Sequence, residues 1–206
     1  MIKFYLDHPF TMLISGPSGC GKTTWLMKLI KLKPSKPKPK KIFYFYGEYQ
    51  SIFDSMKGIN FIQGLRSDII QQISGQPSWI ILDDLMSDAV DSQTISDLFT
   101  KGSHHRNISV IFLTQNFFVQ GKHMRNISLN SHYIVLFKNP RDKTIARNIA
   151  RQMYPEKTIA FQQVFEDATR DPFSYLFIDL KPRTNEKMRL LTNVLDEKEE
   201  LSSYLI

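Results

Sequence analysis

The sequence predicts an α/β protein whose mainly parallel central sheet is flanked by helices. Three observations carry that prediction. Short apolar runs rich in β-branched and aromatic residues alternate with stretches of helical periodicity, the rhythm of strand–helix–strand units. Two runs, WIIL at 79–82 and VIFL at 110–113, are apolar at every position, as strands covered on both faces require. A glycine-rich segment, GPSGCGKTT at 16–24, stands between the first clear run and the first helical stretch. That is where such a sheet carries a phosphate-binding loop.

Strands are expected at 12–15, 42–46, 59–62, 79–82, 108–114, 133–137 and 175–178, and helices at 22–32, 67–73, 89–100, 143–152 and 157–168. The segment 31–41, KLKPSKPKPKK, interleaves lysines with prolines and is expected to be extended and solvated. It reads either as a connector or as a contact for nucleic acid or a partner. In a right-handed β-α-β unit it falls on the sheet edge away from the phosphate loop. Residues 1–195 are expected to form one domain, and 196–206, acidic and then polar, a weakly ordered tail.

No apolar run approaches the roughly 20 residues of a membrane span, so no membrane is required. The start, MIKFYLDHPF, lacks the apolar core of a signal peptide. The single cysteine, Cys20, excludes an intrachain disulfide and occupies a variable position of the phosphate loop, where a tolerated small residue is the simplest reading. An intracellular protein is expected, with the Asn-x-Ser sites at 107 and 126 unmodified. A net charge of +7 points towards a polyanionic partner.

The glycine-rich segment is a complete P-loop pattern. Gly16, Pro17, Ser18, Gly19, Cys20, Gly21, Lys22, Thr23 and Thr24 are the candidate nucleotide-binding residues. Its glycines let successive N–H groups face one way as an anion nest, and the following helix adds its positive end. Lys22 is expected to reach the β- and γ-phosphates, and the Thr23 hydroxyl to hold Mg²⁺. In WIILDDLM, 79–86, a buried strand delivers Asp83 to its carboxyl end as the metal-linked acid. Asp84 follows as the candidate that polarises the attacking water, a role usually given to glutamate. Alone, two aspartates after a strand also fit a helix cap.

Two expected strands lie between the loop and Asp83 in the sequence. Inserted strands mark the additional-strand (ASCE) ATPases rather than the kinase and GTPase branch, and no Asn-Lys-x-Asp guanine reader is present. ATP is therefore favoured over GTP. Gln115, ending the strand at 108–114, is a candidate γ-phosphate sensor, or simply a polar strand end. Arg106 precedes the same strand at its opposite end, too far to reach its own phosphates. It is either a surface residue or an arginine finger for a neighbouring subunit. His104 and His105 lack partners at metal-ligand spacing. Basic loops at 118–126 and 138–143 leave the nucleotide edge and read as solvated loops or as contacts to DNA or a subunit.

These segments, together with IFYFYGEYQ, LFTKGSHHRNISVIFLTQN, HYIVLFKNPRD, ARQMYP and YLFIDLKP, closely resemble the genome-packaging ATPases of Polinton (Maverick) elements and adintoviruses, in the FtsK/HerA superfamily. The resemblance runs from about residue 10 to 193. It implies a RecA-like motor, a ring of identical subunits, that hydrolyses ATP with Mg²⁺ to move double-stranded DNA into a capsid. Capsid or portal proteins are then further partners, and the expected place is the host nucleus or viral assembly site. The resemblance also implies that Asp84 is the catalytic acid, Gln115 the sensor and Arg106 the trans-acting arginine. Alternative readings are a HerA/FtsK-like translocase or helicase in DNA processing and, since GPSGCGKT also resembles guanylate-kinase-like loops, a nucleotide kinase.

Overall fold

A computed structural model of the chain describes residues 4–85, 92–102, 106–115, 124–196 and 200–206. In chain order the elements are β1 (Leu6–Asp7), β2 (Thr11–Ser15), α1 (Lys22–Leu32), β3 (Ser35–Lys36), β4 (Lys41–Tyr46), β5 (Asn60–Gln63), α2 (Ser67–Gln72), β6 (Ser78–Asp83), α3 (Gln93–Asp97), β7 (Ile108–Thr114), α4 (Met124–Leu129), β8 (Tyr133–Phe137), α5 (Thr144–Met153), α6 (Thr158–Ala168), β9 (Tyr175–Asp179), β10 (Leu190–Thr192) and β11 (Ser202–Tyr204). His104, His105, Met86, the first residues of the helix expected at 89–100, and most of the 118–126 loop lie outside the described residues.

The main sheet runs β11-β10-β9-β8-β2-β7-β6-β4-β5 among the described residues. β8, β2, β7, β6, β4 and β5 are parallel, and β9, β10 and β11 extend the β8 edge in antiparallel sense. The expected separation between the loop strand and the Asp83 strand is present, but by a different strand. The segments at 42–46 and 59–62 pair outboard of β6, and it is β7 that lies between β2 and β6. Strands adjacent in sequence need not be adjacent in a sheet, because helical crossovers carry the chain past its neighbours.

Both faces are covered. Met12 and Ile14 of β2, Trp79 and Ile81 of β6, and Ile111 and Leu113 of β7 pack on the buried stripe Trp25, Leu26, Leu29 and Ile30 of α1. The alternate residues, including Leu13, Ile80, Leu82, Val110 and Phe112, pack on the opposite side with Ile70 of α2, Ile95 of α3, Ile127 of α4, Ile149 of α5 and Phe161 of α6. The period-2 alternation thus chooses which helix layer each side chain meets. Asp83 shares parity with Trp79 and Ile81, so it is aimed towards the α1 side. Truncating a stripe residue such as Leu29 to alanine is expected to cost about 2–5 kcal/mol.

Two segments make pairings that the sequence did not show. In the tail, Ser202–Tyr204 pairs antiparallel with β10, and Tyr204 Oη donates to Asp167 at 2.8 Å. Within the lysine–proline segment, Ser35–Lys36 pairs in parallel with β1, and Leu6 N donates to Pro34 O at 2.7 Å. The segment links the end of α1 to the start of β4, on the edge away from the phosphate loop, as expected.

Candidate nucleotide site

The parallel strands end together. Ser15 is in register with Thr114, and Tyr46 with Asp83, so the residues that follow these strands gather at one edge. Ligands bind at that edge of an α/β sheet, where the strand order reverses.

The loop's conformation explains its composition. Gly19 and Gly21 have φ of 77° and 104°, a left-handed backbone that glycine adopts without penalty. Gly21 is the N-cap of α1, so the helix begins at Lys22 with its free N–H groups facing the loop. At Gly16 the limit is space. A Cβ there would lie 2.6 Å from Cys20 Sγ and 2.7 Å from Phe137 Cβ. Cys20 is half-buried, and burial pushes its thiol above the usual range, so it serves packing rather than nucleophilic chemistry. Lys22 Nζ donates to Gly16 O at 2.6 Å and Pro17 O at 3.0 Å, which holds the ammonium inside the loop. Burial lowers its pKa, while Asp83 and Asp84 oppose that shift.

Asp83 is 6% exposed. Its Oδ2 accepts a 2.6 Å hydrogen bond from Tyr44 Oη and a longer one, 3.5 Å, from Gln50 Nε2. Burial raises the Asp83 pKa, the charge of Asp84 adds to that, and the Tyr44 bond and Lys22 work against it. Tyr44 is fully buried, and burial together with Asp83 pushes its phenol well above the ordinary range. It is therefore a fixed donor. Asp84 points the other way: it is exposed, with φ of 54°. Its carbonyl packs so close to Gly47 that a Cβ there would approach within 2.3 Å, and Gly47 N donates to Asp83 O at 3.0 Å. A side chain at position 47 would displace the very turn that presents Asp84.

A cleft of about 450 Å³ joins Ser18, Gly19, Lys22, Thr23, Asp83, Asp84 and Gln115, with Gln50 on the same wall. The structure so brings the expected phosphate, metal, water and sensor residues into one cavity. Gln115 is exposed at the end of β7, the strand between the loop strand and the Asp83 strand. The metal expectation fits this donor set: a hydroxyl and a carboxylate, oxygen only, with room for phosphate and water ligands. Among the described residues no cluster of three or more His, Cys, Asp or Glu offers a different metal site.

Arg106 is not brought to this cavity. It sits before β7, at the opposite sheet edge, where Nε and a terminal nitrogen donate to Ile73 O at 3.1 and 2.9 Å. The same terminal nitrogen also bonds Ile70 O, so the guanidinium caps the end of α2. Lys138, Arg141 and Lys143 are exposed on the loop after β8, at the carboxyl edge of the parallel strands.

Sequence reasoning missed Tyr44 and Gln50. Tyr44 lies in the IFYFY strand and looks like one more core aromatic. Only the pairing of Tyr46 with Asp83 puts it one alternation from the carboxylate.

Sheet order, loop and acid strand together define a RecA-like, additional-strand P-loop NTPase fold. Solved structures with this fold include the genome packaging NTPase B204 of Sulfolobus turreted icosahedral virus 2 in complex with sulfate, at 12% identity and a TM-score of 0.56, covering 85% of this chain and 94% of that one. The same protein in complex with ATP-gammaS aligns at 13% identity and 0.53, covering 85% and 94%. The DNA-packaging ATPase B204 of Sulfolobus turreted icosahedral virus aligns at 13% and 0.53, covering 84% and 93%. At these identities the likeness is one of fold. No family model matches the sequence, and no curated protein matches it.

Proposed function

We propose that this chain is an ATP hydrolase acting as a ring-forming motor that moves double-stranded DNA into a viral capsid, of the Polinton and adintovirus kind. The observation that carries the reading is the single cleft in which the phosphate loop, Asp83, Asp84 and Gln115 meet. The packaging NTPases whose fold the chain shares, and its +7 charge, support the choice of DNA as partner.

In this reading Lys22 and the loop N–H groups hold the phosphates, and the dipole of α1 adds to the field there. Thr23 and Asp83 would hold Mg²⁺, and the ion would supply positive charge against that of the phosphate oxygens. Tyr44 occupies one edge of Oδ2 and turns the rest of the Asp83 carboxylate to the cleft. Asp84 orients the attacking water and accepts its proton. It is one methylene shorter than the usual glutamate, and the Gly47 contact sets how far it reaches. Gln115 senses the γ-phosphate. Arg106, at the far edge, serves the site of a neighbouring subunit, exchanging its bonds to α2 for that contact.

Steady-state hydrolysis with and without duplex DNA tests this. Stimulation by DNA is expected, with loss of about a hundredfold or more in Lys22→Ala. Turnover indifferent to DNA, or transfer of the γ-phosphate to a nucleoside monophosphate, would remove the motor reading.

A further inference from the structure

The phosphate cleft does not account for the whole neighbourhood of the loop. A second cleft, of about 620 Å³, begins where the first ends, since Ser18 and Gly19 line both. Its walls are largely apolar: Phe137, Pro140, Pro172 and Phe173, with Arg141 on the rim. Phe173 stands out among them. Its residue is 70% exposed, unusual for phenylalanine, and it sits in the turn between α6 and β9 at φ of 66°. That turn is tied down by Ser174, whose N and Oγ donate to Asp171 O at 3.2 and 2.6 Å. The ring leans on the start of α1: a Cβ on Gly21 would lie 3.3 Å from Phe173 Cδ1. The turn thus holds an aromatic face beside the phosphate loop without burying it.

We propose that Phe173 is the stacking platform for the nucleobase of the bound nucleoside triphosphate, and that this second cleft is the base subsite. The inference rests on the phosphate-loop reading above and extends it to the organic half of the ligand. A nucleotide whose phosphates lie in the loop must place its base within one sugar's length of it, and this apolar cleft is continuous with the loop. Every base has a π-face, and stacking on an aromatic ring is the usual way to hold one without reading its edge. The Arg141 guanidinium, planar and exposed on the same rim, is placed to attract a π-system or the ribose-side phosphate. Stacking grows with ring area, so purine nucleotides are favoured over pyrimidine ones.

Calorimetric titration with Mg²⁺-ATP and with Mg²⁺-tripolyphosphate separates this inference from the reading beneath it. Phe173→Ala is expected to weaken ATP about tenfold and leave tripolyphosphate unchanged, with Phe173→Trp restoring ATP. Lys22→Ala is expected to weaken both ligands. If Phe173→Ala weakens both equally, the ring supports the loop and the base subsite is wrong. If it weakens neither, or if wild type binds ATP no better than tripolyphosphate, the subsite is equally wrong. Should wild type bind neither ligand, the phosphate-site reading itself falls and takes the subsite with it.

Discussion

The two edges of the central sheet both carry polar side chains but use them differently. At the amino edge they satisfy one another. His8 is hydrogen-bonded to Ser109 Oγ at 2.6 Å and Asn107 Oδ1 at 2.9 Å, buried Lys181 donates to Asp7 O at 3.0 Å, and Arg106 caps α2. At the carboxyl edge Lys22, Thr23, Asp84 and Gln115 share a cleft, and the buried Asp83 on its wall accepts from Tyr44 and Gln50 through Oδ2. The first edge is closed chemistry that fastens the strands. The second gathers its polar groups around an open cleft, which is what separates a site from a polar network. Arg106 is the residue on which the contrast turns: it caps α2 in its own chain, and under the proposed reading it serves the site of another.

The sharpest test within the carboxyl edge is Tyr44→Phe. It removes one hydroxyl and keeps the ring in its aromatic packing with Phe53 and Phe61. The Mg²⁺ concentration for half-maximal hydrolysis is expected to rise about tenfold. The bond lowers the Asp83 pKa against a burial that raises it, so its loss raises that pKa further. The acid limb of the pH–activity profile should then move to higher pH. An unchanged limb and Mg²⁺ response would make Tyr44 a core residue only.

Gly47→Ala comes next. Its Cβ meets the Asp84 carbonyl, and the overpacking is expected to cost about 1–3 kcal/mol in thermal or denaturant unfolding, with hydrolysis falling more than stability explains. Equal losses would show that the Asp84 turn has no special role. Arg106→Ala should lower stability by about 1–3 kcal/mol through the lost cap on the Ile73 carbonyl at the end of α2, measured in the same way. It should leave ATP binding by the isolated chain unchanged. Smallest is Asp196→Asn, which breaks an exposed pair with Lys28 at 3.4 Å and is expected to change stability by at most about 1 kcal/mol.

Much of this was legible in the sequence, for reasons that also explain the rest. α1 occupies 22–32 and β7 occupies 108–114, as expected, because a glycine-capped helix and a strand with a fully apolar centre carry their signals locally. The phosphate loop and Asp83 were readable for the same reason. β10 and β11 were not: LLT and SSY are too short to show a period, and they become strands only by pairing with each other and with β9. Sheet order is likewise a long-range property, which is why the separating strand proved to be β7 rather than 42–46 or 59–62. The Tyr44–Asp83 bond needed the register of β4 on β6, and the exposure of Phe173 needed a tertiary turn.

Under the proposed function the carboxyl edge serves a subunit's own nucleotide and the amino edge serves its neighbour's. DNA-stimulated ATP hydrolysis by a mixture of Lys22→Ala and Arg106→Ala subunits, each assayed first alone, tests it most directly. The account predicts two preparations with little activity that recover a substantial part of it when mixed, because some shared sites then hold one intact Lys22 and one intact Arg106. Full activity of Arg106→Ala alone, or no recovery on mixing, would contradict it.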